Sequence, residues 1–164
     1  MKRKRNRTCR QWLRTPEEGF TLVEIMIVVA IIGVLVVIGI PNFMRVRMDT
    51  NEGMVRADIR AFSTANESYR AFQNPPVYAP SIEILLNQSY IDATWLNPGN
   101  KHGYVFVYAV GDDGLSYAIE ANPLDAGKTG VNSYCVDQTG VLVRGTAPGL
   151  ATTGGCVGGT PLGT

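Results

Sequence analysis

The chain has few of the residue types that carry out catalysis. Its 164 residues include one histidine, His102, and three cysteines, and charged residues make up only 18%. There is no G-x-S-x-G nucleophile motif, no P-loop and no CxxC pair, so the sequence indicates no nucleophilic, phosphoryl or metal chemistry. Because His102 also has no partner at metal-ligand spacing, we predict that the protein is not an enzyme and needs no cofactor or metal.

Nearly half of the fifteen basic residues lie at the start of the chain. Seven basic residues precede residue 15: Lys2, Arg3, Lys4, Arg5, Arg7, Arg10 and Arg14. Such a cluster can bind nucleic acid. Directly ahead of a membrane segment, however, basic residues stay in the cytoplasm and set the orientation. We therefore expect an exported C-terminal part and no nucleic-acid partner.

The membrane segment itself is an apolar run at residues 20–40, interrupted by one acid, Glu24. At about 1.5 Å per residue, a helix of this length spans roughly 31 Å, which matches the hydrocarbon core of a bilayer. An ordinary signal peptide has a shorter apolar run followed by small residues at its cleavage site. Here the small residue, Gly19, comes before the run, so cutting there would leave the apolar helix on the protein.

The string Gly19-Phe20-Thr21-Leu22-Val23-Glu24, followed by a long apolar run, resembles the signature of type IV pilins and type II secretion pseudopilins. The resemblance implies that a prepilin peptidase cuts after Gly19 and that the new terminal residue, Phe20, is N-methylated. It also assigns Thr21, Leu22 and Glu24 to assembly of the subunits. Residues 1–19 would then be a leader peptide.

Inserting an acidic side chain into a membrane costs free energy, which makes Glu24 a candidate functional residue. Insertion costs roughly 2.5–3.5 kcal/mol at the helix centre, and the positive end of the helix dipole near residue 24 returns about 0.3–1 kcal/mol. After cleavage, the amine of Phe20 is the best partner, in the same chain or in a neighbouring copy. The alternative is an acid tolerated near the lipid headgroups.

Gly33, Gly39 and Pro41 predict a weak section in this helix. A proline removes one hydrogen bond and clashes with the carbonyl group four residues back, at about 3 kcal/mol or more. Glycine lowers helix propensity further. The resemblance implies that such a section partly unwinds during pilus assembly, and the alternative is a simple kink at the membrane exit.

Beyond the membrane segment, the pattern predicts an α+β domain. Met48, Val55, Ile59, Phe62 and Tyr69 form one helical stripe, with Glu52–Arg56 and Glu67–Arg70 as exposed pairs. Residues 20–41 form the predicted transmembrane assembly helix and residues 42–73 an amphipathic spine helix. Residues 74–164 form a globular part.

Within the globular part, Ser81 is the predicted N-cap of a short helix, residues 97–100 a turn, and residues 104–121 and 131–144 two β-hairpins. The tail at residues 146–164 is expected to be loop-like. The aspartates Asp112, Asp113 and Asp125 could contribute to a calcium site, but they lack EF-hand spacing and are typical of turns. This order of elements also resembles the pilin fold, a long helix packed on a small antiparallel sheet.

Two of the three cysteines, Cys135 and Cys156, lie in the predicted exported part. In an oxidising compartment such a pair is a disulfide candidate, with two free thiols as the alternative. The resemblance implies a C-terminal disulfide loop from Cys135 to Cys156. It favours a pilin, because major pseudopilins often lack this bond.

The sequence as a whole predicts a structural subunit that polymerises into a type IV pilus or pilus-like filament. The implied partners are further copies, minor pilins, prepilin peptidase, an inner-membrane assembly platform and, before assembly, membrane lipid. The location would be the inner membrane and then the cell surface or the periplasm. The alternatives are a pseudopilin of a type II secretion system and a signal-anchored binding module that never polymerises.

Overall fold

The computed structural model describes residues 19–96 and 101–163. The predicted leader up to residue 18 and the predicted turn at 97–100 therefore lie outside the described residues. The chain divides into two compact units, Met1–Gly39 and Ile40–Thr164.

The first helix, α1, runs over Leu22–Ala71 and includes Pro41 without interruption. Its most apolar 18 residues have a mean hydropathy of 3.1 and none of them is buried, so by length and composition this helix could cross a membrane. It begins after Thr21, whose Oγ1 accepts a hydrogen bond from the Glu24 N–H at 3.2 Å. Thr21 thus acts as an N-cap, and the helix is two residues shorter at each end than predicted.

The second half of α1 carries the predicted apolar stripe. Val55, Ile59, Phe62 and Tyr69 are buried and Met48 is half-buried. The stripe also contains a polar residue that the pattern did not indicate, Asn66, which is fully buried.

After α1 come helix α2 (Ile82–Asn87) and a 3₁₀ turn (Ala93–Leu96). Leu85 of α2 is buried in the core. Ser81 occupies the position before α2 as predicted, but its side chain makes no capping hydrogen bond. The prediction of a side-chain cap was therefore wrong.

The strands are β1 (Tyr104–Val110), β2 (Tyr117–Pro123), β3 (Ser133–Asp137), β4 (Val143–Gly145), β5 (Ala151–Thr152), β6 (Gly155–Cys156) and β7 (Thr160–Pro161). The main sheet has the order β1-β2-β3-β4-β7, and all its pairs are antiparallel. Both predicted hairpins are present. Strand β2 begins two residues later than predicted, because Gly111 donates its N–H to the Ser116 carbonyl and Asp113 accepts the Leu115 N–H, which lengthens the turn.

The tail is more ordered than predicted. Strands β5 and β6 form a separate two-stranded hairpin, and β7 adds an edge strand to the main sheet. The expectation of a loop-like tail missed these three strands, because strands of two residues are too short to show an alternating pattern.

Three polar attachments hold this tail. The buried carboxylate of Glu120, on β2, accepts the N–H groups of Gly149 and Ala151 at 2.9 and 3.1 Å. Asp137 accepts the N–H of Cys156 at 2.9 Å. These bonds compensate the burial of charged groups that would otherwise be costly.

The core lies between the inner face of the main sheet and the buried stripe of α1. Aromatic rings dominate it: Phe62 lies 5.0 Å from Trp95 and 5.4 Å from Tyr108, and Tyr78 lies 4.5 Å from Tyr117, between ring centroids. The tilted and edge-on geometries are those that aromatic pairs prefer in cores.

Cys135 and Cys156 form a disulfide, with their Cα atoms 6.0 Å apart. It joins β3 to β6 and closes the C-terminal loop. A long N-terminal helix, an antiparallel sheet and this disulfide together confirm the predicted α+β, pilin-like fold.

Candidate functional site

The predicted cleavage site lies in exposed, non-helical chain. Gly19, Phe20 and Thr21 precede the first turn of α1, and the Phe20 side chain is 78% exposed. A Cβ atom built on Gly19 would meet no other atom within 4 Å. Within residues 19–96 and 101–163, no packing shields the Gly19–Phe20 bond from a peptidase.

Glu24 lies in the first turn of α1. Its backbone N–H is bound by Thr21, while its carboxylate is exposed among exposed apolar side chains. Among the residues that the structure describes, no basic group lies within ion-pair distance of this carboxylate. The positive end of the α1 dipole thus stabilises the Glu24 carboxylate, but the described residues supply no counter-charge.

The apolar side chains around Glu24 are exposed as well. Every residue at positions 22–40 is exposed, with large side chains such as Leu22 and Val37 at 76% and 74%. Gly33 and Gly39 lie on this surface, and a Cβ atom at either would meet nothing within 4 Å. Because α1 continues through Pro41, unwinding of the section at 33–41 stays a prediction.

A second cluster attaches α1 to β3. The Glu52 carboxylate accepts the N–H groups of Val131 and Asn132 at 2.8 and 3.1 Å, the Asn132 side-chain amide at 3.0 Å, and the Tyr134 hydroxyl at 2.7 Å. The neighbouring Asn51 amide donates to the Thr129 carbonyl at 2.9 Å.

This geometry corrects the predicted Glu52–Arg56 pair. Glu52 is directed towards β3, and the Arg56 guanidinium lies over the Tyr134 ring, 5.9 Å from its centroid. Burial, the largest single influence, raises the pKa of Glu52, but the hydrogen bonds from Val131, Tyr134 and Asn132 together outweigh it and lower the pKa below its ordinary value. Spacing along a helix could not reveal a partner 80 residues away. The other predicted pair is present, with Glu67 Oε2 3.7 Å from Arg70 Nη1.

A cleft of about 570 Å³ lies beside α1, between Phe62, Tyr90 and Trp95. Asp58 binds Lys101 at 3.1 Å, and the only histidine, His102, places Nε2 3.4 Å from Asp58 Oδ2. The Lys101 ammonium also lies over the Trp95 ring at 4.3 Å. These charged groups compensate one another and attach the start of β1 to α1.

The three candidate calcium aspartates do not come together. Asp113 accepts the Leu115 N–H within its turn, and Asp125 pairs with Lys128 at 3.5 Å. Across residues 19–96 and 101–163, no group of three potential metal ligands is present. The observed contacts are those of turn-forming residues.

An exposed segment at residues 19–21, an apolar helix with a single acid, and a disulfide-closed sheet domain define a pilin-like protein. The family described as the prokaryotic N-terminal methylation motif matches residues 14–40. That range contains the whole predicted signature.

Curated relatives agree with this class. The chain is 32% identical to the type IV major pilin protein PilA of Myxococcus xanthus over 149 residues, which cover 81% of this chain and 60% of that protein. It is 27% identical to the type II secretion system core protein G of Pectobacterium carotovorum over 123 residues, covering 60% of this chain and 78% of that one. A fimbrial protein of Pseudomonas aeruginosa is 44% identical over 52 residues, 32% of this chain and 34% of that protein. No solved structure matches the chain.

The chain is thus similar to type IV pilins and to type II secretion pseudopilins, and it carries the prokaryotic N-terminal methylation motif. It spans 60% of the length of the Myxococcus pilin. The resemblance carried by residues 19–24 is thereby confirmed.

Proposed function

We propose that this chain is a structural, non-enzymatic subunit that polymerises into a type IV pilus or pilus-like filament. Prepilin peptidase cuts after Gly19, Phe20 is N-methylated, and the subunit waits in the inner membrane with its globular unit exported. An assembly platform then extracts it into a filament with further copies and minor pilins. The similarity to pilins and pseudopilins supports this proposal.

The single observation that carries the proposal is that none of the described residues forms an ion pair with Glu24. An acid on an apolar helix, with no cation among the described residues, favours a partner from another chain. In a stack of identical helices offset along an axis, the terminal amine of one subunit meets Glu24 of its neighbour. Because lipid is as apolar as the helix, register must come from this charge and from shape.

The test compares two substitutions in the strain that makes the protein. Gly19→Phe should block cleavage, so mass spectrometry should find an unprocessed chain. Glu24→Ala should give cleaved, methylated protein but few or no filaments by electron microscopy. Asp112→Ala, a change in an exposed turn of the globular unit, is the matched control and should leave filaments intact. Normal filaments from the Glu24→Ala strain would contradict the assembly role.

A pseudopilin of a type II secretion system is the second candidate, because the core protein G relatives are matched over 78% and 88% of their length. Deleting the gene should then abolish secretion of folded exoproteins and leave surface filaments unchanged, whereas a pilus subunit would give the opposite pair of results. The Cys135–Cys156 disulfide favours the pilus. An uncleaved Met1 terminus in membranes would instead support a signal-anchored module.

A further inference from the structure

Two arginines follow the apolar section of α1 closely, and both are exposed. Arg45 and Arg47 come five and seven residues after Ile40, the last residue of the apolar run. At 1.5 Å per residue they lie about 8 and 11 Å beyond the end of that run. A bilayer of about 40–45 Å with a core of about 30 Å has a headgroup layer of roughly 5–8 Å on each side. Since arginine side chains can reach back towards the interface, their guanidinium groups reach headgroup depth.

Two apolar residues next to these arginines are suited to the same depth. Phe43 is 69% exposed and Val46 is 62% exposed, although both belong to the unit that carries the folded core. Aromatic and aliphatic side chains mixed with arginines are typical of helices at a membrane interface. If this section of α1 lay in water, the exposed side chains of Phe43 and Val46 would have no stabilising contact with an apolar environment.

The charge of the two arginines is not compensated by an ion pair among the described residues. The four ion pairs of the described chain involve other groups. Asp49 is the nearest acid that follows, and the next one, Glu52, is occupied by β3. Positive charge on the exported flank also opposes the orientation that the basic N-terminal cluster sets, so an external anion is needed to balance it.

We propose that Arg45 and Arg47 form a binding site for the phosphate groups of anionic phospholipids in the outer leaflet of the inner membrane. Guanidinium groups bind phosphate oxygens in a bidentate manner. Successive helical residues are rotated by about 100°, so these two side chains leave α1 on nearly opposite sides. One flat protein surface cannot meet both, whereas headgroups surround a membrane-crossing helix. This inference rests on the proposed storage of the subunit in the membrane.

The test measures lipid selectivity of the full-length chain in a neutral detergent. Native mass spectrometry gives the Kd for dioleoyl-phosphatidylglycerol and for dioleoyl-phosphatidylcholine, and their ratio is the readout. A basic residue near an anionic surface contributes about 1 kcal/mol. Each single change, Arg45→Gln or Arg47→Gln, should therefore lower the selectivity about fivefold, and the double change about 25-fold. The basic N-terminal cluster is the same in every variant, so it cancels in these comparisons.

The matched control removes the same charge elsewhere. Arg60 is exposed and follows Ile40 by 20 residues on α1, about 30 Å along the helix, so Arg60→Gln should change the ratio by less than about twofold because this residue lies outside the headgroup layer. Asp49→Asn should raise the selectivity by removing the nearest acid. Glutamine is a good helix former, so α1 should stay intact in all variants.

Loss of selectivity confined to the Arg45 and Arg47 variants would support the proposal. Equal lipid selectivity in the double variant and in the control would overturn it. Unchanged lipid selectivity combined with lost filaments would also overturn it and would assign the arginines to contacts with a second copy of the chain. Extraction of membranes at alkaline pH tests the membrane storage separately from the lipid site. A chain released by this treatment would overturn both the membrane storage and the lipid site, whereas a retained, polymerising chain without selectivity would overturn the lipid site alone.

Discussion

Replacing Glu52 with glutamine should loosen the attachment of α1 to β3. Oε1 accepts the N–H groups of Val131 and Asn132, and Oε2 accepts the Tyr134 hydroxyl. Glutamine keeps one acceptor oxygen but turns the other position into a donor that faces the Asn132 amide. Hydrogen bonds to charged groups contribute about 1.5–3 kcal/mol each. Since Val131 is half exposed and water can replace part of the loss, we expect about 2 kcal/mol.

The assay is thermal unfolding of the full-length chain, followed by near-ultraviolet circular dichroism of the core aromatic residues. For a domain of this size, 1 kcal/mol shifts Tm by about 4 °C, so Glu52→Gln should lower Tm by about 8 °C. Asp112→Asn removes the same charge from an exposed turn and should shift Tm by less than about 2 °C.

The pH dependence supplies a second, independent check. The folded pKa of Glu52 is lowered from an ordinary value of 4.5, so its contribution to stability is complete above that value and is lost as pH falls through the folded pKa. The Tm difference between wild type and Glu52→Gln should therefore be constant from about pH 5.5 to 7.5 and shrink below about pH 4.5. A difference that is absent at neutral pH, or that persists unchanged in acid, would refute the reasoning.

Three further changes test other parts of the fold by urea unfolding. Replacing Cys135 and Cys156 with serine should cost about 3 kcal/mol, the chain-entropy value for a loop of this length; an unchanged midpoint would show that the bond adds nothing. Asn66→Ala removes the acceptor for the Ala79 N–H at 3.1 Å and should cost about 2–3 kcal/mol, and a loss below about 0.5 kcal/mol would contradict this. Gly130→Ala would place a methyl group against the ring of Tyr104 and should cost about 1–3 kcal/mol, with wild-type stability as the contrary result.

The features that the sequence could predict are those with a repeating local pattern. Val55, Ile59 and Phe62 recur at helical spacing, so their burial follows from a 3.6-residue period. The turn at Gly114 and the alternation of β1 likewise specify a hairpin. The segment at 19–24 could be recognised because its residues are adjacent in the chain.

The features that could not be predicted depend on contacts between distant residues. Asn66 is not part of the predicted apolar stripe, yet its side chain binds Ala79 N–H and the Tyr108 hydroxyl inside the core. Glu52 had a plausible partner four residues away and binds β3 instead. The tail strands are ordered by Glu120 and by a disulfide, which no local period reveals.

The buried carboxylate of Glu120 has a consequence for synthesis of the protein. Its two hydrogen-bond donors, Gly149 and Ala151, follow it by 29 and 31 residues and are therefore synthesised later. A chain that stops before residue 149 leaves a buried charge without donors, at a cost of about 3 kcal/mol or more. Because this is a large fraction of the stability of a small domain, chains truncated before residue 149 should unfold. Stable folding of β2 therefore has to wait until residues about thirty positions further along the chain have been made.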